Sequence, residues 1–356
     1  MPTENYSPDL ISFLKTTAKA ANQTIFSAAQ QHQNQLTKPP GSLGKLEELA
    51  CQLASLQAKH NPTLEKISIR VFAADHGVVS EGVSAFPQAV TAEMIKNFSS
   101  GGAAISVLAR SLKADFEVIN LGTINALDTL DKVIDKRINA GTKNFCHALA
   151  MTESELERAL FIGRESVLEA KKAQIDLYIG GEMGIGNTTS ASALACAILN
   201  QAPKNLVGRG TGLDNAGMTR KIDVIERALV KHRSDTQSPL SCLQALGGFE
   251  IAGLVGATIA CAQEGIPMLV DGFISSVAAL VAVEINPSIR PWLVFSHCSA
   301  EAGHKAILAA LNAQALVDLQ MRLGEASGAA VAVPLLKMAC ELHNNMATFD
   351  QAGVSH

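Results

Sequence analysis

The chain has 356 residues, 47% of them hydrophobic, and a formal net charge of -4 built from mixed charges without long like-sign runs. That length is enough for a substantial core and argues for one large domain with an accessory part, or for two domains. The charge balance, the single Trp and the two Tyr leave neither a basic field nor a stacking surface for nucleic acid.

In chain order, the N-terminal "MPTENYSPDL" lacks a basic stretch followed by an apolar one, so no secretory signal is expected. Ser7-Pro8-Asp9 supplies a capping hydroxyl, a proline at the first helical position and an acid in the first turn, and predicts a helix to about Gln35. After the break "TKPPGSLG", Leu43, Leu46, Leu49, Leu53 and Leu56 recur at spacings of three and four, which predicts an amphipathic helix. No strand signal occurs before Lys66. From there, short β-branched or aromatic runs alternate with longer helical patterns, the pattern of a parallel α/β sheet. The predicted strands are Ile67 to Ala73, Phe116 to Asn120, Ile175 to Ile179, Pro267 to Val270 and Trp292 to Phe295. Thr152-Glu153-Ser154-Glu155 is a capping-box pattern that opens a further helix, with Leu156 and Leu160 on one face. Beyond Leu323 the chain reads as a loop and then a helix containing Pro334, placed to pack on the helical N-terminal part.

The most apolar stretch, Ile251 to Ala262, is broken by Gln263 and Glu264 and is shorter than the ~20 residues that span a bilayer. Seven cysteines without a CxxC pair fit reduced thiols buried as small hydrophobes. A cytoplasmic protein without a membrane span is therefore expected.

Each predicted strand runs into a polar segment: "ADHGVVSEGVSAFPQ", "LGT", "GGEMGIGNTT", "DGFISS" and "SHCSAEAGH". Open α/β sheets bind ligands beyond the carboxyl ends of their strands, so these five segments predict one cleft. In "GGEMGIGNTT", threonine occupies the place of the third glycine of a dinucleotide fingerprint, and Asn187 stands where a Walker A loop has lysine. What remains is a general anion cradle of glycine amides, threonine hydroxyls and a helix N-terminus. A second glycine loop, "GRGTGLD", with Arg220 and Lys221 behind it, could close on the same group. Both loops also read as ordinary tight turns.

Asp75, His76, His297 and His304 offer metal ligands and hence an alternative, a metal-dependent hydrolase, although no HExxH or CxxC spacing supports it. The competing reading is hydrogen-bonded loop histidines. Glu325, in "RLGEASGAA", has small neighbours that admit a ligand, and burial among apolar helices would raise its pKa toward that of a general base. Its alternative is an acid favoured by a helix N-terminus. Glu182, inside the first glycine segment, is the other carboxylate candidate, and these patterns leave the two level.

Taken together, "TKPPGSLGKLE", "FAADHGVVSEGVSAFPQAVT", "NFSSGGAAI", "GGEMGIGNTTSASA", "GRGTGLD", "GGFEIAGLVGA", "DGFISSVAAL", "SHCSAEAGH" and "LGEASGAA" occur in an order that resembles the nicotinate-nucleotide:dimethylbenzimidazole phosphoribosyltransferase family, from about Thr37 to Pro334. The resemblance implies a Rossmann-like parallel sheet flanked by helices, with a small helical domain from residues 1–60 plus 330–356 and a catalytic domain over 61–329. It implies transfer of phosphoribose from nicotinate mononucleotide to 5,6-dimethylbenzimidazole, without a metal or other cofactor, in a homodimer whose partner helps close the cleft. Carried over by motif, Glu325 resembles the general base and Glu182 a supporting carboxylate. Ser84, Phe86, Gln88, Met183 and Leu323 resemble the pocket for the base, and Gly184, Gly186, Asn187, Thr188, Gly210, Thr211, Gly212 and Lys221 the phosphoribosyl contacts.

Overall fold

A computed structural model describes residues 6–208, 210 and 212–355. The N-terminal region is helical as predicted, but it forms two helices before the leucine-patterned one: α1 (Pro8–Lys15), α2 (Gln23–Gln35) and α3 (Lys45–Gln57). Ser7 caps α1 through the Leu10 amide at 3.1 Å. The single helix expected to Gln35 instead stops at Lys15, and a new cap, Asn22, opens α2 by accepting from the Ile25 amide. Between them the chain is held by other elements: the Lys19 amide bonds to the Ala262 carbonyl, and Asn286 donates to the carbonyls of Leu14 and Thr16. These external partners replace the helical ladder.

The α/β part continues as β1 (Ile67–Ala74), α4 (Ala89–Ser100), α5 (Ala104–Leu112), β2 (Asp115–Gly122), β3 (Val133–Asp135), α6 (Glu153–Lys172), β4 (Leu177–Met183), α7 (Asn187–Leu199), α8 (Pro203–Leu206) and α9 (Asn215–Lys231). It ends with α10 (Pro239–Leu246), α11 (Phe249–Glu264), β5 (Met268–Val270), α12 (Phe273–Ile285), β6 (Leu293–Phe295), α13 (His304–Ala310), α14 (Ser327–Asn345) and α15 (Phe349–Ala352). All five predicted strands are present. A short further one, β3, was not signalled, because three residues are too few to display a period. The capping box opens α6 as expected, with Thr152 and Glu155 bonded reciprocally.

The strands form one parallel sheet in the order β3-β2-β1-β4-β5-β6. This is the doubly wound order, in which the winding reverses between β1 and β4 and leaves a crevice beyond their carboxyl ends. Alternation along β1 divides the core: Ile67, Ile69, Val71 and Ala73 face α3, α4, α5 and α14, while Phe72 and Ala74 face the layer that contains α6, α7, α11 and α12. As expected, α14 packs on α3 and runs through Pro334. The chain ends are also joined by a bridge between Leu36 and Thr348 and by the Asn344 amide donating to the Pro62 carbonyl. No disulfide joins the seven cysteines, five of which are buried. Among the described residues, no helix is long and apolar enough to cross a membrane.

β4 is longer than the predicted strand. It extends through Gly180, Gly181, Glu182 and Met183, which pair with Arg70, Val71, Phe72 and Ala73 of β1. The two glycines are therefore not loop residues. A Cβ on Gly180 would lie 2.6 Å from Leu254 of α11, and one on Gly181 would lie 2.6 Å from the Ala326 amide nitrogen.

Close backbone approach also joins α6 to α11. A Cβ on Gly163 would lie 1.9 Å from the Gly253 carbonyl oxygen, and one on Gly256 would lie 2.0 Å from that of Leu160. Gly163→Ala must therefore push two helix backbones apart, and an overpacking loss of about 1–3 kcal/mol is expected despite alanine's better helix propensity. Urea denaturation of the variant checks this, and stability equal to wild type would contradict the close packing.

Candidate functional site

A cavity of about 440 Å³ opens at the carboxyl edge of β4, β5 and β6. Four of the five polar segments reach it: Phe86 beyond β1, residues 182–188 at the end of β4, Asp271 to Ser275 after β5, and His297, Ser299 and Glu301 after β6. Arg322 to Glu325 form a further wall. The segment after β2 does not line it. There the Ile124 amide is tied to the Asp75 carboxylate at 2.8 Å and Thr123 to the Asn125 carbonyl, on the far side of the switch point.

Glu325 is aimed by an unusual backbone. Gly324, Glu325 and Ala326 have φ of +84°, +60° and +66°, three successive left-handed residues immediately before α14. For the two non-glycine residues this conformation costs about 1–2 kcal/mol each. The turn rests on the bare backbone of Gly181, and a Cβ at Gly324 would lie 2.4 Å from Oε1 of Glu182. Both carboxylates thus meet at one wall. Glu325 is 6% exposed, and burial, reinforced by the charge of Asp271, pushes its pKa up to about 7. Burial also holds Glu182 well above the usual carboxylate range, helped by Glu250, Asp271 and Glu325 and opposed by the Glu325 backbone amide. The Asn187 amide group donates to Oε2 of Glu182. Asp271 is raised by burial too, with His297 working in the opposite direction, and its Oδ1 accepts from the Ala329 amide at 2.7 Å.

The glycine loop proper begins at Gly184. Gly184 and Gly186 carry the chain from β4 into α7, and Gly186, with φ +96°, is the residue before the helix. Its leading residues, Asn187 and Thr188, both line the cavity, and the Asn187 amide donates back to the Gly184 carbonyl at 3.0 Å. Lys221 of α9 lies behind them, fully buried, with Nζ donating to Thr188 Oγ1 at 3.1 Å and to the Gly208 carbonyl at 3.2 Å. Burial lowers its pKa to about 8, against the raising effect of Glu301. Arg322 donates to the Gly210 carbonyl at 3.1 Å and ties the second glycine loop to the Glu325 segment. Arg220 turns away and donates to the Gly82 carbonyl.

Of the residues singled out from sequence, Glu182, Glu325, Phe86, Met183, Leu323, Gly184, Asn187, Thr188 and Gly210 line the cavity. Ser84, Gln88, Gly186, Gly212 and Lys221 do not. Ser84 bonds to the backbone of Phe86, Gln88 donates to the His76 carbonyl at 2.8 Å, and Thr211 lies outside the described residues. Sequence reasoning did not single out Asp271, Ser275, Ser299, Glu301 or Arg322 as cavity residues, nor the apolar Val90 and Met94 of α4. "DGFISS" and "SHCSAEAGH" marked the strand ends without saying which side chains turn inward.

The metal alternative does not survive this geometry. Asp75 and His76 follow β1, whereas His297 and His304 follow β6, three strand spacings or roughly 14 Å away across the sheet. His76 Nε2 is bonded to Glu250 at 2.6 Å, and His304 contacts Ser276 Oγ and accepts from the Ser299 amide. Among the described residues, no group of three or more His, Cys, Asp or Glu side chains is placed to hold a metal ion.

The chain is similar to known proteins over almost its whole length. A family model described as "Phosphoribosyltransferase" matches residues 18–354. A protein of Xanthomonas oryzae pv. oryzae (strain PXO99A) named nicotinate-nucleotide--dimethylbenzimidazole phosphoribosyltransferase is 57% identical over 92% of this chain and 94% of its own. A protein of the same name from Pseudomonas putida (strain GB-1) is 58% identical over 92% and 93%. The crystal structure of CobT from Thermus thermophilus superposes with a TM-score of 0.90 at 41% identity, covering 94% of this chain and 99% of that one.

The raised pKa of Glu325 has a consequence for stability. A carboxyl that is harder to ionise folded than unfolded stabilises the fold while protonated, and that contribution is lost as pH rises from about 4.5 through about 7. Glu325→Gln, which cannot ionise, should therefore be more stable than wild type by up to about 3 kcal/mol at pH 8, and equal to it below about pH 4.5. Denaturant titrations at the two pH values test this, and a variant no more stable at pH 8 would contradict it.

Proposed function

The chain belongs to the nicotinate-nucleotide:dimethylbenzimidazole phosphoribosyltransferase family, and we infer that it moves the 5-phosphoribosyl group of nicotinate mononucleotide onto 5,6-dimethylbenzimidazole. The products are nicotinate and α-ribazole 5′-phosphate, which supplies the lower-ligand part of cobalamin. The observation that carries the reading to particular residues is one cavity with Glu325, ionising near neutrality, on one wall and the N-terminus of α7 on another.

The leaving group is a pyridinium, so its bond to ribose is already weakened and needs no acid. The benzimidazole attacks through its unprotonated nitrogen, and its other ring nitrogen becomes acidic as positive charge develops. Glu325 removes that proton and its anion is favoured by the cation forming beside it. Attack opposite the departing nicotinate inverts the anomeric carbon, so a β nucleotide yields an α product in one displacement. Holding two planar rings on opposite faces of one ribose is chiefly a positioning task, and positioning can supply up to about 7–11 kcal/mol.

In this reading the N-terminus of α7 and Gly210 take the 5′-phosphate, with Thr188, Gly186 and Gly212 shaping the cradle, while the Lys221 ammonium, buried behind Thr188, acts through its field and its hydrogen bond to Thr188 Oγ1. Glu182, whose burial favours the protonated form, faces the ribose or the base together with Asn187 and away from that phosphate. Phe86, Met183 and Leu323, backed by Ser84 and Gln88, form the seat for the benzimidazole. Phe86 and Leu323 are 48% and 56% exposed, an apolar rim consistent with a second subunit closing the cleft of a cytoplasmic homodimer. The division into a helical unit of residues 1–60 plus 330–356 and a catalytic unit of 61–329 belongs to the same proposal.

Incubation with nicotinate mononucleotide and a panel of bases, following nicotinate release and ribotide mass, tests the assignment, and no release with any base would end it. In the same assay Glu325→Gln is expected to lower kcat by about 10²- to 10⁴-fold with little change in nucleotide affinity. Near wild-type turnover would remove Glu325 from the mechanism. For wild type, kcat/KM should rise as Glu325 loses its proton through about pH 7 and fall as Lys221 loses its own through about pH 8. A profile still rising above pH 9 would exclude Lys221 as the cationic handle.

A further inference from the structure

Behind the cradle lies a sealed pair that the reaction itself does not use. His76, on the segment after β1, and Glu250, in the first turn of α11, are both buried, and the His76 Nε2 to Glu250 Oε1 distance is 2.6 Å. Neither residue lines the cavity. The remaining polar atoms of the pair, His76 Nδ1 and Glu250 Oε2, are buried without a hydrogen-bond partner. Such a pair is a costly way to stabilise a core, because desolvation offsets much of its attraction.

Its surroundings indicate what it does instead. The imidazole is clamped between two backbones. On one side, a Cβ at Gly248, the cap of α11, would lie 2.2 Å from His76 Cε1 and 2.7 Å from Glu250 Oε2. On the other, a Cβ at Gly184 would lie 2.4 Å from the Ala74 carbonyl oxygen and 3.3 Å from Cδ2 and Nε2 of the ring, and one at Gly186 would lie 2.7 Å from Val79 Cγ2 and 3.3 Å from His76 Cβ. These two glycines are the turn that presents the N-terminus of α7 to the cavity. The residue between them, Ile185, is held from the α4 side, where its amide donates to Thr91 Oγ1 at 3.1 Å. Gln88 pins the same segment by donating to the His76 carbonyl. The ring therefore serves as a spacer, and Glu250 sets how far it stands from α11.

We propose that His76 and Glu250 are positioning residues for the nucleotide cradle: their contact fixes the Gly184–Gly186 turn, and with it the aim of the α7 amides at the substrate's phosphate. The inference rests on the transferase reading above. It makes the reach of the Glu250 side chain, more than its charge, the decisive property. A displacement of the turn by about 1 Å can cost about 10²-fold in a positioned reaction.

Glu250→Asp keeps the charge and shortens the reach by one methylene. It should weaken nicotinate mononucleotide binding by about 10- to 100-fold, read by calorimetry and as KM, while the KM for dimethylbenzimidazole stays within about twofold. Glu250→Gln keeps the reach and an acceptor for the ring N–H, and should restore nucleotide affinity to within about threefold of wild type. His76→Ala, where it folds, should behave like Glu250→Asp. Melting temperatures are recorded for all variants. Loss of melting temperature with unchanged nucleotide affinity in Glu250→Asp would overturn the proposal and leave the pair a purely structural element. Equal losses in Glu250→Gln and Glu250→Asp would also overturn it, by making charge decisive. If wild type binds the nucleotide but releases no nicotinate with any base, it is the transferase reading that fails.

Discussion

The contact on which the site depends is the approach of the Gly324–Ala326 turn to the backbone of Gly181 in β4. Glycine at 181 leaves no side chain between strand and turn, and a Cβ there would sit 2.6 Å from the Ala326 nitrogen. That closeness lets a segment from the C-terminal part of the chain place Glu325 beside Glu182 of β4, one of the two strands that flank the switch point. It also has a conformational cost, since Glu325 and Ala326 both lie in the left-handed region. The surrounding packing bears that cost: Ala326, Ala329 and Ala330 are buried on the same face of the sheet as Ile69 and Val71.

Burying carboxylates together then sets their chemistry. Glu250, Asp271 and Glu325 lie near enough to raise the pKa of Glu182, Asp271 raises that of Glu325, and desolvation works in the same direction. The outcome is graded: Glu182 is pushed well above its ordinary range, and Glu325 reaches about 7. One group is thereby biased toward its protonated form and the other is poised near neutrality, the separation that paired carboxylates show when their environments differ. Behind the opposite wall, burial lowers Lys221 without removing its charge below about pH 8.

Much of the fold was legible in the sequence. The β-branched runs at 67–73 and 116–120 are buried strands, and the Thr152–Glu155 capping box begins a helix where it should. The misreadings have local causes. Gly180 and Gly181 look like loop residues because glycine is usually a breaker, yet here they are strand residues that make room for Leu254 and Ala326. The N-terminal helix breaks at Lys15 because its next residues bond to α11 and to Asn286, partners far away in sequence. β3 is too short to carry a pattern.

For the site, the letters alone mark which segments carry polar chemistry and, through the ordered set of motifs, point to the family to which the chain belongs. Residue type and spacing are local properties, and they are preserved in the string of letters. Which side chains turn inward depends on how those segments meet in space. Asp271 and Arg322 face the cavity, Arg220 leaves it for Gly82, and His76 is withdrawn behind the glycine turn to meet Glu250, 174 residues further along the chain. The same holds for the acid strength of Glu325, because desolvation and the field of Asp271 depend on distances through space that no local pattern records.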